Sequence, residues 1–128
     1  MLWEELTAKE FPDCVKESEG ICVLPIGVLE KHGNHLPVGT DMYTGQAVCK
    51  KAAEMEKSIV FPYYFLGQIA EARHFPGCIS ASHRLLMGAL REMCDEICRP
   101  VTSRQQNEGT KHLRIDFVLL RKFSFSQQ

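Results

Sequence analysis

Ile21-Cys22-Val23-Leu24-Pro25-Ile26-Gly27-Val28-Leu29 runs directly into Glu30-Lys31-His32-Gly33-Asn34-His35-Leu36-Pro37-Val38-Gly39-Thr40-Asp41. The first part is a short apolar run, which predicts a buried strand over 21–26. The second part carries two carboxylates and two imidazoles within twelve residues. A buried strand opening into a polar loop is the arrangement by which α/β proteins bind ligands at the carboxyl ends of their strands. The stretch therefore points to an α/β fold and to chemistry at the end of this strand.

The flanking sequence supports the same class. Thr7-Ala8-Lys9-Glu10 fits a capping box and predicts a short helix from about Thr7, with Phe11, Cys14 and Val15 on its apolar face. Ser18-Glu19-Gly20 would end it. Thr40 or Asp41 can cap a second helix reaching about Glu56, with Ala47, Val48, Ala52 and Met55 at helical spacing. Ser58 to Phe61 reads as a second strand, and 63–77 as a long loop of aromatic and polar residues. Cys78-Ile79-Ser80 reads as a short extended piece. A third helix follows the cap Ser82, with a stripe of Leu85, Leu86, Ala89, Leu90, Met93 and Ile97. Alternation of strand and helix predicts an α/β fold with a mostly parallel sheet. Residues 99–112 are polar and without period, and 113–120 can form one more strand.

Composition excludes several classes. The chain has 128 residues, enough for one domain, and a formal net charge of −1. No basic excess suggests nucleic acid. No apolar run is long enough to span a bilayer. The start, Met1-Leu2-Trp3-Glu4-Glu5, lacks the basic and apolar regions of a signal peptide, so a cytoplasmic location is expected. The six cysteines form no C-x-x-C pair and read as reduced thiols. Cys94 and Cys98 share a helix face but lack further zinc ligands at matching spacing, so they read as small apolar side chains.

Mixed carboxylate and imidazole donors suit zinc or manganese. Glu30 and His32 are two apart, so on extended backbone they point to one side. Asp41, at the start of a helix, can fold back to the same place. The same residues also admit a plain reading, in which His32 and His35 are surface loop residues and Asp41 is an N-cap. Tyr63, Tyr64 and Phe65 can form either an aromatic wall or part of the core.

The string from Pro25 to Asp41 resembles the signature of the creatininase family of metal-dependent amidohydrolases, roughly G-x-x-E-x-H-G-x-H-L-P-x-x-T-D. Residues 27 to 41 meet every fixed position. Phe75-Pro76-Gly77-Cys78-Ile79 is similar to the family's F-P-G-T-I segment, with Cys78 in place of threonine. The resemblance covers about residues 1–98. It implies a three-layer α/β/α sandwich with a two-ion site for zinc or manganese. It also implies hydrolysis of the C–N bond of a small cyclic or linear amide, and a homo-oligomer, often hexameric. Glu30, His32 and Asp41 match metal ligands, with Asp41 as the bridge. His35 matches a motif position that can orient a ligand or serve the loop. Glu71 and His74 are candidates for the catalytic proton transfers, against a reading as solvated loop residues beside Arg73.

The family's second metal-binding segment is a buried strand ending in an N-G-H-G-G-N-like string. No such string follows Ile97, and the only later histidine is His112. The expectation is therefore a creatininase-like domain over 1–98, truncated at that point, with an atypical tail over 99–128. The alternative function is an inactive fragment or metal-binding remnant without turnover.

Overall fold

The sheet is organised around a central strand, β1 (Ile21–Ile26), in which Cys22 to Pro25 are buried. The structure is a computed structural model that describes residues 1–99 and the backbone of 114–119. Strand β2 (Ile59–Val60) lies parallel to β1 on one side, in the register Cys22↔Ile59 and Val23↔Val60. Strand β3 (Arg114–Leu119) lies parallel on the other side, from Ile21↔Arg114 to Ile26↔Leu119. The order is β2-β1-β3. His112 and the remainder of the tail fall outside the described residues.

Pro25 explains why β2 is short. Along β1 alternate residues turn their backbone groups to β2: Val23 O accepts from Phe61 N–H at 2.9 Å. Pro25 is the next residue on that side and has no N–H to give. Its carbonyl accepts from Tyr64 N–H at 2.8 Å, and Gly27 N–H donates to Tyr64 O at 2.9 Å. Pairing thus resumes beyond the proline as an isolated Ile26↔Tyr64 bridge.

Successive side chains of a strand face opposite ways, and here each face has its own core. Cys22 and Ile59 pack with Val15 and Ile97. Val15 belongs to helix α1 (Phe11–Glu17), and Ile97 to helix α3 (His83–Ile97). Val23 and Val60 pack with Cys49 of helix α2 (Thr40–Met55). Helices α1 and α3 therefore cover one face and α2 the other, which is the expected three-layer α/β/α arrangement.

Local structure departs from the sequence reading in three places. The capping box is formed: Thr7 N–H donates to Glu10 Oε2 at 3.0 Å, and Glu10 N–H to Thr7 Oγ1 at 3.3 Å. The regular helix nevertheless begins only at Phe11, because Pro12 has no N–H to continue the turn. In α2 the buried residues are Met42, Gly45 and Cys49, whereas Ala47, Val48, Ala52 and Met55 are exposed. In α3 the Ser82 cap is present, with Leu85 N–H donating to Ser82 Oγ at 3.2 Å. Its apolar stripe is buried only at the C-terminal end, by Ile97, while Leu85 and Met87 are half exposed. No helix among the described residues is long and apolar enough to cross a membrane. The cysteines are free; Cys22 and Cys49 are fully buried, and the other four are partly covered.

Candidate metal centre

Leaving β1, the chain passes Gly27 under the first turn of α2. A Cβ at Gly27 would stand 2.5 Å from the Met42 backbone nitrogen. Only glycine permits that approach. It brings the start of α2 against the end of β1 and turns the Met42, Gly45 and Cys49 face inward. The loop then closes on itself, with Glu30 N–H donating to Val38 O at 2.9 Å. Gly33 turns the loop with φ +69°, and a Cβ there would lie 2.9 Å from the His35 ring.

The loop and the helix start converge on one point. Glu30 is buried, with 1% of its surface exposed, while His32 and Asp41 are partly exposed. His32 Nε2 lies 3.0 Å from Asp41 Oδ1 and 3.6 Å from Glu30 Oε1. One ligand atom from each of the three residues lies within 4.8 Å of the others. His32 Nδ1 lies 3.0 Å from the Glu30 carbonyl oxygen. A carbonyl only accepts, so this contact is served by a proton on Nδ1, and it leaves Nε2 turned to the two carboxylates. Two carboxylates and an imidazole nitrogen converging on one point can hold a cation, and an Nδ1–H tied to a carbonyl is the usual support of a metal-ligating histidine. The donor set, two oxygens and one nitrogen, fits zinc or manganese.

Asp41 is not the N-cap. Gly39 holds that position without a side-chain cap bond, and Asp41 lies in the first turn of α2. Its carboxylate is thereby available to His32. His35 is exposed and does not join the cluster. Glu71, in the 3-10 turn Ala70–Ala72, and His74 are both exposed and also stand outside it. The His74 ring lies against Phe75, tilted by 40° with 4.0 Å between centroids. Tyr64 is buried, while Tyr63 and Phe65 are 39% and 41% exposed. The aromatic run therefore divides between core and surface.

One contact escaped the sequence reading. Lys31 N–H donates to Cys78 Sγ at 3.1 Å, across 47 positions. The only signal for it in the chain was the cysteine standing where the family motif has threonine.

A three-layer α/β/α domain with a carboxylate–imidazole cluster at the carboxyl end of its central strand is an α/β protein with a candidate ligand site where that fold class places it. The chain belongs to the creatininase family: residues 4–101 match that family's profile, described as creatinine amidohydrolase. It is 33% identical over 100 residues to the creatinine amidohydrolase of Pseudomonas putida, covering 74% of this chain and 38% of that protein. Among solved structures, a creatinine amidohydrolase (creatininase) superposes with a TM-score of 0.71 at 31% identity, over 77% of this chain and 40% of that one. A manganese creatininase has the same TM-score of 0.71, identity of 31%, and shares of 77% and 40%. A mutant creatininase of the Zn–Zn type superposes at 0.71 with 32% identity and the same shares of 77% and 40%. The chain thus spans about two fifths of the length of these relatives.

Proposed function

We propose that this chain carries one half of a two-ion amidohydrolase centre. In it Glu30, His32 and Asp41 hold a divalent cation, zinc or manganese, for hydrolysis of the C–N bond of a small cyclic or linear amide. The observation that carries this reading is the convergence of three ligand atoms from the loop and from α2 within 4.8 Å. Relatives described as a Zn–Zn type and as a manganese creatininase support the choice of metals.

A divalent ion held there supplies Lewis-acid polarisation of an amide carbonyl and acidifies water. The chain's own residues prepare for it. Buried Glu30 offers a carboxylate in a region of low dielectric, where its attraction for a cation is strong. The Glu30 carbonyl holds the His32 ring with Nε2 turned toward the site. Asp41 has a second carboxylate oxygen, which suits it to bridge two ions. Glu71 and His74 are our candidates to move the proton to the leaving nitrogen. Both lie in the loop between β2 and α3 and outside the three-residue cluster. A homo-oligomer is proposed from the family. A reducing, cytoplasmic setting fits the free thiols.

A second reading is a metal-binding remnant without turnover. It is favoured by the cluster's having three residues among the described residues. The two readings separate in one experiment. The purified chain is stripped with a chelator and reloaded with zinc or manganese. Ions per chain are counted by elemental analysis, and hydrolysis is assayed on a panel of cyclic and linear amides that includes creatinine. A bound ion together with hydrolysis that is lost on chelation supports the enzyme. One ion and no turnover support the remnant. No bound ion removes both.

A further inference from the structure

Lys31 stands between two of the proposed ligands, and its backbone is held from a distant part of the chain. Its N–H donates to the Cys78 sulfur at 3.1 Å. Next to it, Ile79 N–H donates to Leu29 O at 3.0 Å. The Lys31 ammonium lies over the Phe75 ring at 4.5 Å from the centroid. Cys78 is itself fixed by the turn that carries it, with its N–H donating to Phe75 O at 3.3 Å. On the opposite side Glu30 N–H is tied to Val38 O at 2.9 Å. Residues 29 to 31 are thus clamped between the 75–79 turn and the returning loop.

We propose that Cys78 is a positioning residue for the metal centre. Its sulfur, acting as hydrogen-bond acceptor, sets the orientation of the Glu30–Lys31 peptide and so the separation of the Glu30 carboxylate from the His32 ring. The proposal rests on the reading that Glu30, His32 and Asp41 bind a cation. The physical reason is local. The Lys31 N–H is partly buried, and a buried donor must find an acceptor. Without one at position 78, the peptide rotates toward water and carries both flanking side chains with it. Ligands displaced by a fraction of an ångström hold a metal less well. A hydroxyl at the same position accepts the same bond, so side-chain chemistry and side-chain volume can be separated.

The test compares Cys78→Thr with Cys78→Val in the full chain. The two substituents have nearly the same shape and differ in one acceptor. Cys78→Ser and Cys78→Ala repeat the contrast in a smaller volume, should the branched pair disturb folding. Two quantities are read: hydrogen exchange of the Lys31 amide without metal, and zinc affinity by competition with a chromophoric chelator. Expected for Val and Ala is Lys31 exchange accelerated at least about tenfold, with β1 and α2 amides unchanged. Zinc affinity should fall about 10- to 100-fold, the range for residues that orient metal ligands. Thr and Ser should stay within about threefold of the parent in both. Equal losses in the Thr and Val variants overturn the role of Cys78 and leave the metal reading intact. So does a Val variant that binds zinc as the parent does. A parent chain that takes up no zinc overturns the metal reading and this proposal together.

Discussion

His32 Nε2 lies 3.0 Å from Asp41 Oδ1, although 9 positions separate the two residues and one sits in a loop and the other in a helix. The contact joins the end of β1 to the start of α2 and forms one side of the proposed metal site. Substituting His32→Ala removes the nitrogen ligand and leaves Asp41 and Glu30 facing each other. Zinc affinity is expected to fall by more than about 100-fold, beyond the range for residues that only orient ligands. Isothermal titration of the folded variant checks this. Retained affinity would mean that zinc binds elsewhere.

Gly27→Ala tests how the helix is seated. The new methyl would meet the Met42 backbone at 2.5 Å, and backbone cannot swing aside as a long side chain can. Overpacking of this kind costs about 1–3 kcal/mol. Urea unfolding should show that loss. Zinc affinity should fall too, because α2 carries Asp41 away from His32. Unchanged stability would show that the strand–helix contact is looser than described.

Cys22 predicts a pH dependence. Burial, with lesser contributions from Cys98 and Cys94, raises its thiol from an ordinary 9.0 to about 12. The folded state therefore binds the proton more tightly than the unfolded state. The stabilisation is fully present below pH 9 and is lost as pH rises from about 9 toward 12. In the native protein at pH 8.5, Cys22 should resist iodoacetamide, read by peptide mass spectrometry, and become labelled on unfolding. Rapid native labelling would contradict its burial.

The Tyr64 hydroxyl is buried and has no hydrogen-bond partner among the described residues. Removing an unsatisfied buried polar group relieves its desolvation penalty, about 1–3 kcal/mol. Tyr64→Phe is thus expected to raise the unfolding midpoint in urea. A lower midpoint would reveal a partner for the hydroxyl.

Glu10 is held below the usual carboxylate range by hydrogen bonds from the Thr7 side chain and then its backbone. Thr7→Val should move the Glu10 titration, followed by NMR, back upward. The group's contribution to stability is present above its unfolded pKa. It is lost as pH falls through the folded value. An unmoved titration would break the link to Thr7.

Much of this protein is legible along the chain. The run Ile21 to Ile26 is short, apolar on both faces and bounded by Gly20 and Gly27, which predicts a strand covered on both sides, and α1, α3 and α2 supply the cover. Thr7 with Glu10, and Ser82 before α3, are local hydrogen-bond chemistry that four residues suffice to specify. The motif from Gly27 to Asp41 offers Glu30, His32 and Asp41 as candidate ligands because residue types and spacing are read directly. The inward face of α2 was not legible. Ala47, Val48, Ala52 and Met55 recur at helical spacing, yet they are exposed. The single absent Cβ at Gly27 decides which side of α2 can approach β1, and a close approach favours Gly45 and Cys49 over larger residues. Nor does spacing reveal that Asp41 leaves the cap to Gly39 and turns to His32, or that Cys78 reaches Lys31 across 47 positions. Sequence by itself determined the elements and the chemical types at the site, because short-range sterics and hydrogen bonding act between neighbours. Only the tertiary structure decided which of those groups meet, because that depends on how closely two backbones can approach.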